Sequence, residues 1–237
     1  MKKEKITMSE REQIIEEVRQ QMMQSQASHF EHEKEKKRKN YHQQNAFVRK
    51  GQTLFTGSSL MEQFPISEYC ATEGYPTAYN RGIGGYTTDE FLKAIDDVLL
   101  DLAPSKLFIN IGTNDIRPMP EGEDWFEHLS ENYRKICTII RDRLPDTVVY
   151  MMAYYPVNGN APGAKENPGM QVRTNGNIAR ANRMVASLAE EFCFHHIDVN
   201  DGLKDEAGNL QIEHTEDGIH FDAAAYRTVF ERLKPYL

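Results

Sequence analysis

Serine, histidine and aspartate can share one proton-transfer chain, and this sequence carries them in a spacing that permits it. Asp217 and His220 stand three apart in Asp217-Gly-Ile-His220, close enough for one turn to join carboxylate and imidazole. Far upstream, Thr53-Leu-Phe-Thr-Gly-Ser-Ser-Leu-Met-Glu-Gln-Phe64 sets Ser58 and Ser59 between a short apolar run and a helical pattern. Acyl transfer needs a nucleophile, a base, a group that orients the base, and donors for the oxyanion. Ser, His and Asp fill the first three roles. A backbone N–H freed by glycine, as in Asn80-Arg-Gly-Ile-Gly-Gly85, and the amide of Asn114 in Gly112-Thr-Asn-Asp115 are candidate donors.

Singly, each stretch has a plainer reading. Ser59-Leu-Met-Glu62 is a capping-box pattern, so Ser59 could serve only as an N-cap. Gly82, Gly84 and Gly85 could serve a tight turn. A phosphate loop fits poorly, because Gly-x-Gly-Gly lacks the later glycine of a dinucleotide fingerprint and no Walker lysine follows. Asn114, Asp115 and the pair Asp217-Gly218 are ordinary turn residues, and His220 could be a satisfied surface histidine. The order Ser, Asp, His matches one chain order known for this chemistry, but Gly-x-Ser-x-Gly is absent. The residues alone do not choose between Ser58 and Ser59.

The elements that must position these groups alternate from Gln52 onward. Strands are expected at Thr53–Thr56, Thr77–Asn80, Lys106–Ile111, Thr147–Ala153 and Phe194–Val199, several apolar on most residues, as in parallel strands buried on both faces. Helices are expected at Phe91–Leu102, opened by a Thr87–Glu90 capping box and stopped by Pro104, and at Trp125–Leu144, Val172–Phe192 and Ala223–Leu233. This βαβα order predicts one α/β domain with a parallel sheet and helices on both faces. Ligands in such sheets bind beyond the carboxyl ends of the strands, which is where every residue named above falls. The Gly-, Asn- and Pro-rich stretch Pro156–Gln171 is a candidate lid. His195 and His196, in the fifth strand, read as structural, and Asp115 as a brace for the Asn114 loop. His128 and His214 have no motif nearby, and Arg180 and Asn182 have no assigned mechanism.

The chain divides at about residue 46. Residues 1–46 read as a helical extension, with a Ser9–Glu12 capping box and a stripe of Ile14, Ile15, Val18, Met22 and Met23 offered to the body or to a second copy in a homodimer. Residues 47–237 form the catalytic-type domain. The net charge of −8 is uneven, with +4 in residues 1–50 and −12 in the rest. An acidic body argues against a nucleic-acid partner, and the basic run Lys34–Lys39 reads as a solvated helix face. Cys70, Cys137 and Cys193 show no disulfide or metal spacing, and Cys137 and Cys193 read as buried thiols. No apolar run spans a membrane and no cleavable leader is evident, so a cytoplasmic location without membrane insertion is expected.

In four blocks, in order, the sequence resembles the SGNH, or GDSL-type, hydrolases. Gly57-Ser58-Ser59-Leu60 is similar to the first block, usually Gly-Asp-Ser. Asn80–Gly85 is similar to the glycine block of the platelet-activating-factor acetylhydrolase branch. Gly112-Thr-Asn114-Asp115 resembles the third block and Asp217-Gly-Ile-His220 the last. Bacterial lysophospholipase-like and carbohydrate-esterase members share the last block and closing helix.

The resemblance implies a flavodoxin-like three-layer sandwich around a five-stranded parallel sheet. It implies Ser59 as nucleophile, His220 as base and then acid, and Asp217 as its orienting partner. The oxyanion hole would comprise the N–H groups of Ser59 and Gly85 and the amide of Asn114. No metal or organic cofactor is implied. The implied function is carboxylic-ester hydrolysis on a small-molecule ester, with a small acyl group, as on an acetylated sugar, ahead of lysophospholipid or thioester cleavage. A non-catalytic binding module on the same fold is the rival of another class. Two positions depart from the family: Ser58 where aspartate is usual, and Tyr86 where the acetylhydrolase branch has aspartate.

Overall fold

A computed structural model describes residues 8–237. Five strands form one all-parallel sheet: β1 Thr53–Gly57, β2 Ala78–Asn80, β3 Lys106–Asn110, β4 Val148–Met152 and β5 His195–Ile197, in the order β2-β1-β3-β4-β5. Reversal of strand order beside β1 makes the crevice between the β1 and β3 ends a switch point. Helices cover both faces, as the alternating apolar runs require, and the fold is the α/β flavodoxin-like sandwich expected.

Register explains the core of one face. Phe55 pairs with Phe108, Phe108 with Tyr150, and Tyr150 with His195. Their rings stack in sequence across four strands at 4.4, 4.8 and 5.1 Å between centroids. His195 is therefore the last rung of an aromatic ladder, in keeping with its structural reading. Against this face lie α2 Ser59–Glu62, α3 Ile66–Glu73 and α8 Ala223–Leu233, joined by Phe64 stacked on Tyr226 and Tyr69 against Phe230.

The opposite side carries α4 Thr88–Lys93, α5 Ile95–Val98, α6 Trp125–Arg143 and α7 Asn175–Glu191. The single helix expected over Phe91–Leu102 is three short pieces, ending in a 3₁₀ turn at Leu100–Leu102. The Thr87–Glu90 capping box forms as expected. Phe91, Ile95, Val98, Leu99 and Leu102 are all buried, so the apolar stripe survives the breaks. One cause of the interruption is visible: the Asp97 carbonyl accepts a hydrogen bond from Asn45 Nδ2 at 2.7 Å, from outside the helix. Helix α3, mixed in composition, carries no apolar period that would predict it.

Asn45 belongs to α1, Met8–Asn45. One expectation for this helix needs correction, and one of the two places offered for its stripe is not met. The Ile14, Ile15, Val18, Met22 and Met23 stripe does not pack on the body; all five are about half exposed. The contact is made instead by the basic run. Lys34 is buried and pairs with Glu90, Lys37 pairs with Glu62, and Arg38 reaches Asp97 at 2.5 Å. The cationic face is complementary to the acidic body, so much of it is not solvated. The expected Ser9–Glu12 capping box rests on the Ser9 side chain, which lies outside what the structure describes. His42, Asp97 and Asp101 gather ligand-type atoms within 4.8 Å, but Arg38 and His42 already occupy the Asp97 carboxylate.

Cys137 is buried, but Cys193 is exposed, contrary to expectation. It sits in the turn after α7 with φ +57°. Among the described residues no helix is long and apolar enough to cross a membrane.

Candidate active site

β1 ends at Gly57, whose φ of +152° and close approach to the Asn110 carbonyl leave no room for a Cβ. The chain then turns directly into α2. Ser58, not Ser59, is the N-cap; it is fully buried, and its side chain makes no capping bond. Ser59 is the first helical residue, so its N–H belongs to the unsatisfied set at a helix start. The capping box read at Ser59–Glu62 does not form, because the Glu62 carboxylate is turned to the Gly84 N–H and to Lys37.

Ser59 Oγ lies 2.8 Å from His220 Nε2, across 161 residues of sequence. His220 Nδ1 lies 2.5 Å from Asp217 Oδ2. The other Asp217 oxygen accepts the N–H groups of Ile219 and His220, each at 2.9 Å. Burial works to raise the Asp217 carboxyl, but the hydrogen bonds from the His220 backbone and ring and from Ile219 outweigh it and hold the pKa below the ordinary carboxylate value. Asp217 thus remains an anion that fixes Nδ1 as the protonated nitrogen and leaves Nε2 free to accept from serine.

The turn is built from its backbone. Gly218, at φ +85°, lies so close to the Asn158 carbonyl that a side chain there would collide. Asn158 N–H donates to the Gly218 carbonyl at 2.9 Å and Gly163 N–H to the Glu216 carbonyl at 2.8 Å. The expected lid over Pro156–Gln171 is therefore largely a buttress: Val157, Asn158, Ala161 and Ala164 are buried. Of its glycines, Gly163 lies against Glu216 and Asp217.

Gly85 and Asn114 are the other candidate donors. Among the described residues, neither the Ser59 nor the Gly85 N–H has a protein acceptor. Asn114 Nδ2 donates to the Tyr86 carbonyl at 3.0 Å, and its Oδ1 accepts from Arg173 Nη2 at 3.1 Å. With its oxygen taken by a cation, the amide keeps its second N–H for a ligand. Asp115 is buried and accepts the Thr88 N–H and hydroxyl, so it braces the Asn114 loop against the start of α4, as read from sequence.

Arg173 was not anticipated. It is buried beside Asn114, and burial works against its charge while Asp115 and Asp217 favour it. The only signal was one arginine at the end of a Gly- and Pro-rich loop. Asn182 holds the β4 end by bonding the Tyr154 N–H and carbonyl. Arg180 stacks on Phe126, 3.8 Å from its ring centre. His128 pairs with Asp89 at 2.7 Å and His214 with Asp222 at 3.3 Å. A cavity of about 620 Å³ opens beside the Asp217–His220 turn, lined by Glu213, His214, Glu216, Asp222 and their neighbours.

Residues 61–228 match the GDSL-like Lipase/Acylhydrolase family. The chain belongs to that family. The match begins two residues beyond Ser59, so geometry, not the family match, singles out that serine. A solved structure from Streptococcus pneumonia, described as a platelet activating factor, is 30% identical, with a TM-score of 0.81 over 91% of this chain and 98% of that one. The acetylxylan esterase Axe2 of Geobacillus stearothermophilus shares the fold at 16% identity and TM-score 0.59, over 79% of this chain and 94% of that one. The N-acylneuraminate cytidylyltransferase of Escherichia coli O18:K1:H7 is 27% identical over 194 residues, 79% of this chain. The chain spans about 40% of the length of that curated relative.

Proposed function

We propose that this GDSL-family hydrolase is a serine esterase that works through an acyl-enzyme and removes small acyl groups, of acetyl size, from a carbohydrate alcohol. The observation that carries the mechanism is the continuous chain Ser59–His220–Asp217. Ser59 Oγ attacks the ester carbonyl as His220 Nε2 takes its proton, and Asp217 stabilises the imidazolium. The oxyanion is received by the N–H groups of Ser59 and Gly85 and by Asn114 Nδ2. Collapse expels the alcohol, protonated by His220. Water then attacks the acyl-Ser59 ester, again through His220, and the free acid leaves.

The space beside His220 supports a sugar alcohol. Its Glu213, Glu216 and Asp222 offer acceptors to hydroxyl groups and would repel the phosphate of a lysophospholipid. The fold shared with an acetylxylan esterase and the kinship to a sugar-handling cytidylyltransferase point the same way. Lysophospholipid or thioester cleavage is the runner-up, and a non-catalytic module the rival class.

The test is hydrolysis of chromogenic esters of rising acyl length and of acetylated sugars by wild type, Ser58→Ala and Ser59→Ala. Acetyl esters are expected to be the best substrates, with Ser59→Ala losing at least about 10³-fold in kcat and Ser58→Ala retaining activity. An intact-mass gain of one acyl group, seen on quenching wild type and absent from Ser59→Ala, reports the intermediate. Equal turnover by wild type and Ser59→Ala overturns the reading.

A further inference from the structure

Helix α1 lies outside the family match, yet one face of it bears on the loop that carries Gly85. Phe30, Lys34, Lys37 and Tyr41 follow each other at intervals of four, three and four residues, which puts them on one helical face. The Phe30 ring occupies the place where a Cβ on Gly85 would be: an ideal Cβ would meet its ring carbons at 2.5 Å, and φ there is +75°. The buried Lys34 ammonium binds Glu31 and Glu90 and sits 6.0 Å from the Tyr86 ring centre. The Tyr41 hydroxyl donates to the Gly82 carbonyl at 3.0 Å. Lys37 pairs with one oxygen of Glu62, whose other oxygen accepts the Gly84 N–H.

Glu62 is the last residue of α2, and Ser59 is the first. One carboxylate therefore ties the helix of the nucleophile to the peptide next to the Gly85 N–H, and α1 supplies its counter-charge. Without Lys37, Glu62 would be a half-buried anion with solvent as its competing partner. Without Phe30 and Tyr41, the glycine loop would have three glycines and no outer support.

We propose that α1 is a positioning element for the reaction: through Lys37–Glu62, Phe30 and Tyr41 it sets the Gly82–Tyr86 loop so that the Gly85 N–H meets the oxyanion. This rests on the esterase reading above. Because an oxyanion donor acts on the transition state, loosening it lowers kcat more than it changes KM.

The experiment uses the full chain with Lys37→Met, Lys37→Arg, Tyr41→Phe and, as a control on the projecting half of the helix, Ile15→Ser. Turnover of a chromogenic acetyl ester is measured beside inhibition by phenylboronic acid, which forms a tetrahedral adduct on the nucleophile and needs the same donors. Lys37→Met is expected to lower kcat about tenfold with KM within about twofold, and to weaken boronate inhibition by a similar factor. Lys37→Arg should recover most of the loss and Ile15→Ser should match wild type. Tyr41→Phe, which removes only a hydroxyl, should lower kcat about two- to fivefold. Wild-type kcat and boronate affinity in both Lys37→Met and Tyr41→Phe overturn the proposal while leaving the esterase intact. A wild type that neither turns over the ester nor binds the boronate overturns the esterase reading, and this role with it.

Discussion

The most informative residue pair is Asn114 with Arg173. An asparagine amide can present oxygen or nitrogen to a site, and the wrong face would repel an oxyanion. Arg173 holds Oδ1 at 3.1 Å and Nδ2 donates to the Tyr86 carbonyl at 3.0 Å, an orientation that suits the proposed role of the second Nδ2 hydrogen as an oxyanion donor. Replacing Arg173 with Met is expected to reduce kcat by about 10- to 100-fold, short of deleting an oxyanion donor outright. KM should change little, and Arg173→Lys should recover part of the loss; steady-state kinetics of the three proteins checks this. Asp217→Asn is expected to cost on the order of 10³–10⁴ in kcat, because an amide oxygen no longer stabilises the imidazolium. Far-ultraviolet circular dichroism should show both variants folded. Of these residues, Asp217, His220 and Asn114 were legible from their types and their place after strands. Arg173 was not, since an isolated arginine near a helix start carries no motif. Choosing Ser59 over Ser58 needed the family register, and the structure accounts for it physically: the N-cap serine is buried, and the next one faces the histidine.

Among the elements, the joint between the Asn114 loop and α4 is the most sensitive to pH. Burial pushes the Asp115 carboxyl up to about 6, against the lowering effect of its bonds from Thr88. The folded protein thus binds this proton more tightly than the unfolded chain, whose carboxyl titrates near its ordinary value. The contribution of Asp115 to stability is therefore most favourable below about pH 4, declines as pH rises from about 4 to 6, and levels off above. The full difference is about 3 kcal/mol. Asp115→Asn keeps an acceptor for Thr88 but cannot ionise, so its stability relative to wild type should rise across that interval. Urea unfolding of both proteins at pH 4.5, 5.5 and 7 measures the slope; parallel curves would refute the account. The long elements on this side of the sheet were readable to within a few residues from apolar periodicity. The breaks between α4, α5 and the turn that follows were not, because one cause is a hydrogen bond from Asn45, 52 residues away in sequence from its Asp97 acceptor.

At the scale of the molecule, the uneven charge is a docking device. The basic half of α1 is held by Glu62, Glu90 and Asp97 of the acidic body, while the half before Phe30 projects with its apolar stripe exposed. Limited trypsin digestion should therefore cut early at Arg11 and Arg19 and late at Lys34 and Lys37. Raising salt to about 1 M, where the Debye length falls to about 3 Å, should bring Lys37 cleavage forward more than Lys34, whose ammonium is buried. Early, salt-independent cleavage at both would contradict the docking. The charge division was plain in the sequence. Its meaning was not, since a run of lysines on a helix looks the same whether it faces water or carboxylates.

The sequence by itself determined the class of fold, the strand ends at which chemistry could gather, and the residue types for acyl transfer. Those follow from local physics: the period of apolar residues, the conformations open to glycine, and the few side chains able to act as nucleophile, base and anion. The tertiary structure decided which groups meet. It brought Ser59 to His220 across 161 residues, placed Arg173 on Asn114, set part of a Gly- and Pro-rich loop against the Asp217 turn, and laid α1 along the Gly82–Tyr86 loop. These pairings depend on distances between segments remote in sequence, and no local propensity encodes such a distance.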